Sequence, residues 1–183
     1  MRTKATIGWI GAGRMGFEMA ARLAKGGADV LVWNRTREKA EPLKKYGARV
    51  AGDVAELASR DIVFCMVSTW QDVKQVVSNL LKGKAKPKLL IECSSISLEG
   101  SAELREMLEK KGIQYLAAPV SGNAKVIKAG RLSFVCSGPK KAFDLARPFL
   151  DLVALNSSYV GEGELARIVK ICHNVFLGVV TQS

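Results

Sequence analysis

Two side chains near the end of the chain have the types and spacing of an acid–base site. Lys170 and Asn174 stand four residues apart in the apolar run VKICHNVFLGVV, so a helix would place them on one face, one turn apart, with His173 at the border. A lysine transfers protons near neutral pH only when burial or nearby positive charge lowers its pKa from about 10.4. The alternative is a surface lysine whose stem lies along an apolar helix.

A glycine-rich segment near the start has the spacing of a dinucleotide-binding loop. GAGRMG supplies Gly11, Gly13 and Gly16, follows the apolar run ATIGWI and opens a helical run. In this context glycines permit a tight turn and close approach of a pyrophosphate, and the helix N-terminus favours negative charge. We expect the intervening residues to contact the dinucleotide as well: Ala12, Arg14 and Met15. A plain β-to-α turn is the alternative.

The end of the second predicted strand indicates which dinucleotide binds. An NAD site usually has Asp or Glu there, whereas this chain has Asn34, Arg35 and Thr36. An amide, a guanidinium and a hydroxyl suit a 2′-phosphate, which a carboxylate would repel. The segment therefore predicts NADP, with NAD as the alternative. Asn34 and Thr36 can also cap the following helix, and both roles can hold together.

Strand-like and helical runs alternate along nearly the whole chain. The strand-like runs are ATIGWIG, DVLVWN, ARV, DIVFCMV, KLLIECS, IQYLAAP, LSFVCSG and SSYVG. Helices are predicted after the glycine loop, over about 36–46, 53–59, 70–81 and 98–111, from Pro139, and from about Gly163. Several strands are apolar at nearly every position, which is typical of a parallel sheet covered on both faces. The pattern predicts an α/β fold with a doubly wound, mostly parallel Rossmann sheet.

The composition fits a globular protein with one principal domain. The chain has 183 residues, of which 48% are hydrophobic and 25% charged. It shows neither a membrane-length apolar run nor a signal peptide, so we expect a cytoplasmic protein. The four cysteines lack C-x-x-C spacing and favour neither a metal site nor a disulfide framework. The net charge of +11 favours acidic partners, but the basic run at 81–88 has no interleaved aromatic residues and is interpreted as a solvated loop.

Six motifs in series together resemble one enzyme family. They are IGAGRMG, VWNRT, CMVS, ECSSIS, APVSGN and KICHN. The series is similar to the β-hydroxyacid dehydrogenases, which include 3-hydroxyisobutyrate dehydrogenase, the glyoxylate/succinic semialdehyde reductases and, more distantly, 6-phosphogluconate dehydrogenase. The resemblance implies hydride transfer between NAD(P) and a small carboxylate-bearing substrate, interconverting a β-hydroxyacid and its semialdehyde or keto form.

The resemblance also implies roles for individual residues. Along the cofactor it places Met66, Val67, Ser68 and, near the nicotinamide, Ser95. For the substrate carboxylate it implies Ser121, Gly122 and Asn123. Lys170 then corresponds to the family's general acid/base and Asn174 to the asparagine that holds the substrate. His173 is assigned either to substrate contact or to packing.

The chain departs from the family pattern in ways that leave the substrate open. Ala117 stands where relatives have the Asp of DAPVSGG, Asn123 replaces a Gly, and more residues than usual separate GEG from Lys170. The resemblance divides the chain into an NADP-binding Rossmann domain at 1–162 and, at 163–183, the first helix of an all-α domain. The apolar pattern is still running at Val180, so we expect the chain to be truncated or incompletely represented.

Two other functions stay open. A cofactor-binding but catalytically silent scaffold, associated with nucleic acid or chromatin, fits the positive charge. Imine reduction uses the same scaffold, although those relatives generally replace the lysine. Retention of Lys170 and Asn174 favours the dehydrogenase, for which the resemblance implies a homo-oligomer, most simply a dimer.

Overall fold

The computed structural model describes residues 5–180, and its centre is a six-stranded parallel sheet. The strands are β1 (Ile7–Ile10), β2 (Val30–Trp33), β3 (Arg49–Val50), β4 (Ile62–Cys65), β5 (Leu89–Glu92) and β6 (Gln114–Ala117). Their order is β3-β2-β1-β4-β5-β6, with every neighbouring pair parallel. This is the strand order of the Rossmann fold, so the predicted fold class is confirmed. The order reverses between β1 and β4, where the carboxyl ends of the two strands leave a crevice.

Helices cover both faces of this sheet. The described α-helices are α1 (Arg14–Lys25), α2 (Trp70–Leu80), α3 (Leu98–Glu109), α4 (Ala124–Lys128), α5 (Lys140–Val153) and α6 (Leu165–Val180). Shorter 3-10 segments span Arg37–Lys39, Glu41–Tyr46 and Val54–Ser59. No helix within residues 5–180 has the length and apolar character needed to cross a membrane.

Alternate residues of each parallel strand contribute to two separate apolar cores. In β1, Ile7 and Trp9 belong to the core under α1 and α5, whereas Ile10 belongs to the core under α2 and α3. Trp9 stacks on Phe64 of β4 with ring centroids 5.3 Å apart. Successive side chains of a strand point to opposite faces, and here both faces are covered. This explains why the strands read as apolar at nearly every position.

A second, three-stranded sheet was not expected from the sequence. It consists of β7 (Val120–Ser121), β8 (Ser133–Cys136) and β9 (Asn156–Tyr159) in the order β7-β8-β9. β8 is antiparallel to β7 and parallel to β9. An isolated bridge between Ala117 and Ser137 joins this sheet to the end of β6. The strands predicted in LSFVCSG and SSYVG therefore belong to this second sheet and not to the Rossmann sheet. The prediction missed β7 and α4.

The single helix predicted over 36–46 is wrong. The segment forms two 3-10 pieces, and Pro42 lies in the first turn of the second piece. A continuous α-helix would need a backbone N–H at this position, which proline lacks. The segment ends at Gly47, whose φ of 92° is in the left-handed region.

The last helix is tied to the second sheet at its base and exposed beyond it. The Ser137 hydroxyl, at the end of β8, donates to the Gly163 carbonyl at 2.7 Å and accepts from the Ala166 N–H at 3.0 Å. Ala166 and Arg167 are buried. Every residue from 171 to 180 is exposed. Tertiary contacts therefore hold the first turn of α6, and the rest of the helix extends from it.

Candidate dinucleotide and acid–base site

The glycine loop at the end of β1 has no room for side chains at two positions. Gly11 has a φ of 99°, and a Cβ atom there would lie 2.0 Å from the Met66 carbonyl oxygen. A Cβ on Gly16 would lie 2.3 Å from the Gly11 carbonyl oxygen. The Trp9 indole N–H donates to that same carbonyl at 2.7 Å. Glycine is therefore required for β1, the start of α1 and the loop after β4 to meet this closely.

The N-terminus of α1 is left free to receive an anion. Its N-cap is Gly13, which supplies no side-chain hydrogen bond, and its first turn contains no acidic residue. A Cβ on Gly13 would meet no atom within 4 Å, so the backbone there is open. The first backbone N–H groups of a helix have no partner within the helix and carry its positive dipole end. This end of α1 therefore fits a pyrophosphate group.

A cleft of about 660 Å³ lies at the topological switch point beside this loop. Its volume is within the usual range for ligand sites. All the predicted cofactor residues except Ala12 and Ser95 line it: Gly11, Gly13, Arg14, Met15, Gly16, Asn34, Arg35, Thr36, Met66, Val67 and Ser68. Further lining residues, which the sequence did not single out, are Trp33, Lys39, Asp72, Gln75, Val76, Asn79 and Ala124. Ala12 is buried behind the loop, and Ser95 is exposed outside the cleft.

Asn34 joins the end of β2 to the glycine loop. Its Oδ1 accepts from the Ala12 N–H at 2.7 Å, and its Nδ2 donates to the Thr36 carbonyl at 2.7 Å. Neither bond caps a helix, and Thr36, at the N-cap of the first 3-10 segment, makes no side-chain cap bond. The helix-capping alternative is therefore wrong. The amide instead fixes two turns that line the cleft, using both its acceptor and its donor.

Arg35 lies at the rim of the cleft with most of its side chain exposed. Its Nη1 is 3.2 Å from Oδ1 of Asp72, near the start of α2. A hydrogen bond from Thr69 and the positive charge of Arg35 lower the pKa of Asp72, although partial desolvation opposes them. Arg14 and Lys39 also line the cleft. Its nucleotide end therefore combines several cations with one carboxylate.

A buried ion pair that the sequence analysis missed lies behind the cleft. Arg167 of α6 is 2% exposed and Glu92 at the end of β5 is fully buried, and the Arg167 Nη2 donates to the Glu92 Oε2. The Arg167 Nη1 also donates to the Ser94 carbonyl at 2.6 Å, and Nη2 lies 3.3 Å from the Tyr115 hydroxyl. Burial raises the pKa of Glu92, and the charge of Arg167 opposes that rise. Burial also raises the pKa of Tyr115 to about 12.

The available sequence signal for this pair was two charged residues inside apolar runs. Glu92 closes the strand LLIE, and Arg167 interrupts the apolar start of α6. Charged residues are almost never fully buried unless they are paired. The two positions are 75 residues apart, so only the fold identifies them as partners.

The predicted substrate segment meets α6. The Ser121 hydroxyl on β7 lies 3.1 Å from Nε2 of His173. Asn123 caps α4 by accepting from the Val126 N–H at 3.1 Å, and it also lines the cleft. Gly122 is exposed, with a φ of 137°. The β7–α4 turn thus connects α6 with the cleft.

Lys170 is half-buried on α6, between the Arg167 and His173 contacts. Burial lowers the pKa of its ammonium group. Asn174, one turn further along, is exposed. Neither side chain lines the cleft, and Ser121, Gly122 and His173 also lie outside its lining. The structure thus groups the predicted acid–base and substrate residues along α6 and β7, next to a separate nucleotide cleft.

Residues 6–161 match a family described as the NAD binding domain of 6-phosphogluconate dehydrogenase. The chain belongs to this family. It is 34% identical to 3-hydroxyisobutyrate dehydrogenase of Pseudomonas aeruginosa, a match covering 95% of this chain and 60% of that protein. It is 32% identical to the chloroplastic glyoxylate/succinic semialdehyde reductase 2 of Arabidopsis thaliana, over 97% of this chain and 51% of that protein. The chain thus spans roughly half to three-fifths of the length of these relatives.

Solved structures of the family superpose closely on this chain. The Mycobacterium tuberculosis 3-hydroxyisobutyrate dehydrogenase with L-serine has a TM-score of 0.91 at 30% identity, covering 97% of this chain and 61% of that one. An imine reductase from Myxococcus stipitatus in complex with NADP+ has a TM-score of 0.87 at 27% identity, covering 97% and 63%. A variant of the imine reductase from that organism is in complex with NAD+. The domain is therefore of the NAD(P)-binding type, and similar solved structures hold NADP+ in one case and NAD+ in another.

Proposed function

We propose that the chain is part of an NADP-dependent oxidoreductase that interconverts a small β-hydroxyacid and its semialdehyde or keto form. The observation that carries the proposal is the position of Lys170 between two contacts of α6, one with the end of β5 and one with β7. Parallel strands of a Rossmann sheet present ligands at their carboxyl ends. The family relationship to 3-hydroxyisobutyrate dehydrogenases and a semialdehyde reductase supports the same reaction class.

The residues of the cleft fit a dinucleotide. The glycine loop is open at Gly13, the α1 N-terminus is uncapped, and the cleft has the volume of a ligand site. Bound there, the nicotinamide would supply or accept a hydride. The loops bearing Met66, Val67 and Ser68 would hold one side of the cofactor, and Ser95 the region nearer the nicotinamide.

Lys170 has the properties of the proton-transfer group that such a reaction needs. Conversion of a carbinol to a carbonyl removes a proton from oxygen, and the reverse reaction returns it. Burial lowers the pKa of Lys170, which raises the fraction of neutral amine available to accept that proton. In the direction of reduction the ammonium form donates it. Asn174, on the same face one turn away, would orient the reacting group.

The β7–α4 turn would bind the substrate carboxylate. Ser121 offers a hydroxyl, Gly122 an exposed backbone, and Asn123 an amide beside the cleft. His173 lies against Ser121 and would orient its hydroxyl. A small anionic substrate would then lie between this turn and Lys170.

The charge of the nucleotide end supports NADP over NAD. Arg14, Arg35 and Lys39 line it, and Asn34 stands where an acid would repel a 2′-phosphate. We further propose the division into an NADP-binding domain at 1–162 and the first helix of an all-α domain at 163–183, although 1–4 and 181–183 lie outside the described residues. A cytoplasmic location and a homo-oligomer remain predictions.

The test is turnover of glyoxylate, succinic semialdehyde and 3-hydroxyisobutyrate with both dinucleotides. We expect Lys170→Ala to lower kcat by about 100-fold or more while NADPH affinity is kept, as for loss of a general acid/base. Lys141→Ala, which removes an exposed helical lysine outside the cleft, is the matched control. Equal activity of wild type and Lys170→Ala would remove Lys170 from the mechanism. Absence of turnover with salt-dependent DNA affinity would instead support a silent scaffold.

A further inference from the structure

The buried ion pair also connects α6 to the nucleotide cleft. The Glu92 Oε1 accepts from the Ser94 N–H at 2.7 Å, and the Ser94 hydroxyl accepts from the Val67 N–H at 2.9 Å. Val67 lines the cleft. The Arg167 guanidinium bonds to both Glu92 and the Ser94 carbonyl. A continuous chain of hydrogen bonds therefore runs from α6, through the end of β5, to the loop after β4.

Lys170 lies one helical turn beyond this pair. Lys170 follows Arg167 by three residues, so it is one helical turn beyond the anchor and on the same side of α6. Beyond Lys170, residues 171–180 are exposed, and His173 of this part of the helix contacts Ser121. A planar guanidinium held by several acceptors fixes both the distance and the rotation of a helix, which a single-point contact does not.

We propose that Arg167 and Glu92 are positioning residues that set Lys170 against the nicotinamide end of the cleft, an inference that rests on the proposed function. The Glu92 carboxylate and the Ser94 carbonyl bind Arg167 of α6, and the Ser94 hydroxyl accepts from the Val67 N–H. A shift of either element is thereby transmitted to the other.

The test uses Glu92→Met combined with Arg167→Met. Replacing both partners of a buried ion pair by apolar residues of similar volume is often neutral for folding, whereas removing one leaves a buried charge unpaired. The double variant should therefore melt closer to the wild type than either single variant does, although the buried Ser94 N–H loses its acceptor, and it should still bind NADPH. We expect kcat to fall by about 100-fold at little change in NADPH affinity, because a displacement of about 1 Å at a reacting group has this effect.

A second readout does not depend on turnover. Acetylation of Lys170, followed by peptide mass spectrometry, is compared with and without NADPH. In the wild type, bound NADPH should slow acetylation of Lys170 but not of the exposed Lys141. In the double variant this protection should be lost even though NADPH still binds. If the wild type turns over no substrate, yet NADPH protects its Lys170 and the double variant loses that protection, the proposed reaction fails and the positioning role stands.

Arg105→Met is the matched control for a contact at the base of α6. Arg105 of α3 pairs with Glu164 at 3.1 Å, and its described hydrogen bonds and ion pairs do not include Glu92 or Ser94. Protection and kcat should be retained in this variant. If the double variant does not fold, Arg167→Lys keeps the buried charge, loses the planar fork, and should show the same losses to a smaller extent. Equal protection and kcat in all variants, or no protection in the wild type, would overturn the proposal.

Discussion

Asp72 is a residue whose position changes the interpretation of the cofactor site. From the sequence, the absence of an acid at Asn34 favours a 2′-phosphate. In the structure a carboxylate nevertheless reaches the same rim from α2 and pairs with Arg35. Asp72 would compete with a phosphate for the guanidinium and would repel it, so it limits the preference that Arg35 provides.

Replacement of Asp72 by Asn should therefore strengthen NADPH binding. We expect the Kd for NADPH to fall by about threefold to tenfold, the effect of removing one partly screened charge, with little change for NADH. Fluorescence titration of both dinucleotides at low and high salt measures it, and the gain should shrink at high salt. Arg35→Asp, the opposite change, should weaken NADPH binding more than NADH binding. An equal gain for both dinucleotides would contradict the specific role of Asp72.

The parts of the site that could be predicted are those whose chemistry is local in sequence. GAGRMG is one turn, and Gly11 and Gly16 are required by contacts with the loop after β4 and within the turn itself. Partners distant in sequence could not be predicted: Asp72 follows Arg35 by 37 positions, and Arg167 follows Glu92 by 75. Nothing in residue type alone selects such pairs. They depend on which strand ends and helices the sheet brings together.

At the scale of elements, Asp61 joins the starts of three parallel strands. Its Oδ2 accepts from the Thr6 N–H and hydroxyl, both at 2.9 Å, just before β1. Its Oδ1 lies 2.8 Å from Nζ of Lys88, just before β5. The ion pair with Lys88 and the bonds from Thr6 lower the pKa of Asp61 to about 2.

The Asp61→Asn variant should lose stability in a pH-dependent way. The folded-state pKa of Asp61 is below its ordinary value of 3.8, so its contribution is present above pH 3.8 and is lost as the pH falls toward about 2. We expect the variant to be less stable by about 1–2 kcal/mol at pH 7, since the carboxylate is partly screened by solvent. The difference in free energy of unfolding, from urea titrations, should vanish near pH 2.

Asp144→Asn is the control for that experiment. Asp144 pairs with Lys140 on the exposed face of α5, and such pairs contribute less than about 1 kcal/mol. A stability difference for Asp61→Asn that stays constant from pH 7 to pH 2 would show that the carboxylate charge is not responsible.

The two elements that sequence reasoning missed, β7 and α4, are both short. β7 has two residues and α4 has five, so neither is long enough to show a repeated apolar pattern. Both exist because β7 pairs with β8 and Ile127 of α4 is buried in the core. Most other strands and helices were predicted because each carries its own local signal, a continuous apolar run for a strand or a helical period for a helix.

At the scale of the whole molecule, α6 exposes a large apolar surface. Val175 is 61% exposed and Phe176 66% exposed, on a helix whose base is buried at Arg167. Exposed apolar surface of this kind favours association with another apolar surface. The net charge of +11 opposes close approach of two copies at low salt.

The chain should therefore self-associate through α6, more strongly as salt screens its charge. Combined Val175→Ser and Phe176→Ser should weaken this association by about tenfold or more, because large apolar side chains carry much of the energy of an interface. Sedimentation velocity over a range of protein and salt concentrations measures it. Leu155→Ser, at a position that is 66% exposed but outside α6, should leave association unchanged. A wild type that stays monomeric at every concentration would contradict this prediction.

The hydroxyl of Ser137 has a consequence for the order in which the chain folds. It bonds to the first turn of α6 from a position 29 residues earlier than Ala166. A helix capped by an adjacent residue can begin while its neighbours are still disordered, but this one lacks its cap until β8 is in place. Bringing Ser137 and Ala166 together has a loop-closure entropy cost, which a helix capped by an adjacent residue avoids. The base of α6 should therefore form late in folding, after the three-stranded sheet. Lys170 would reach its native position only at that stage.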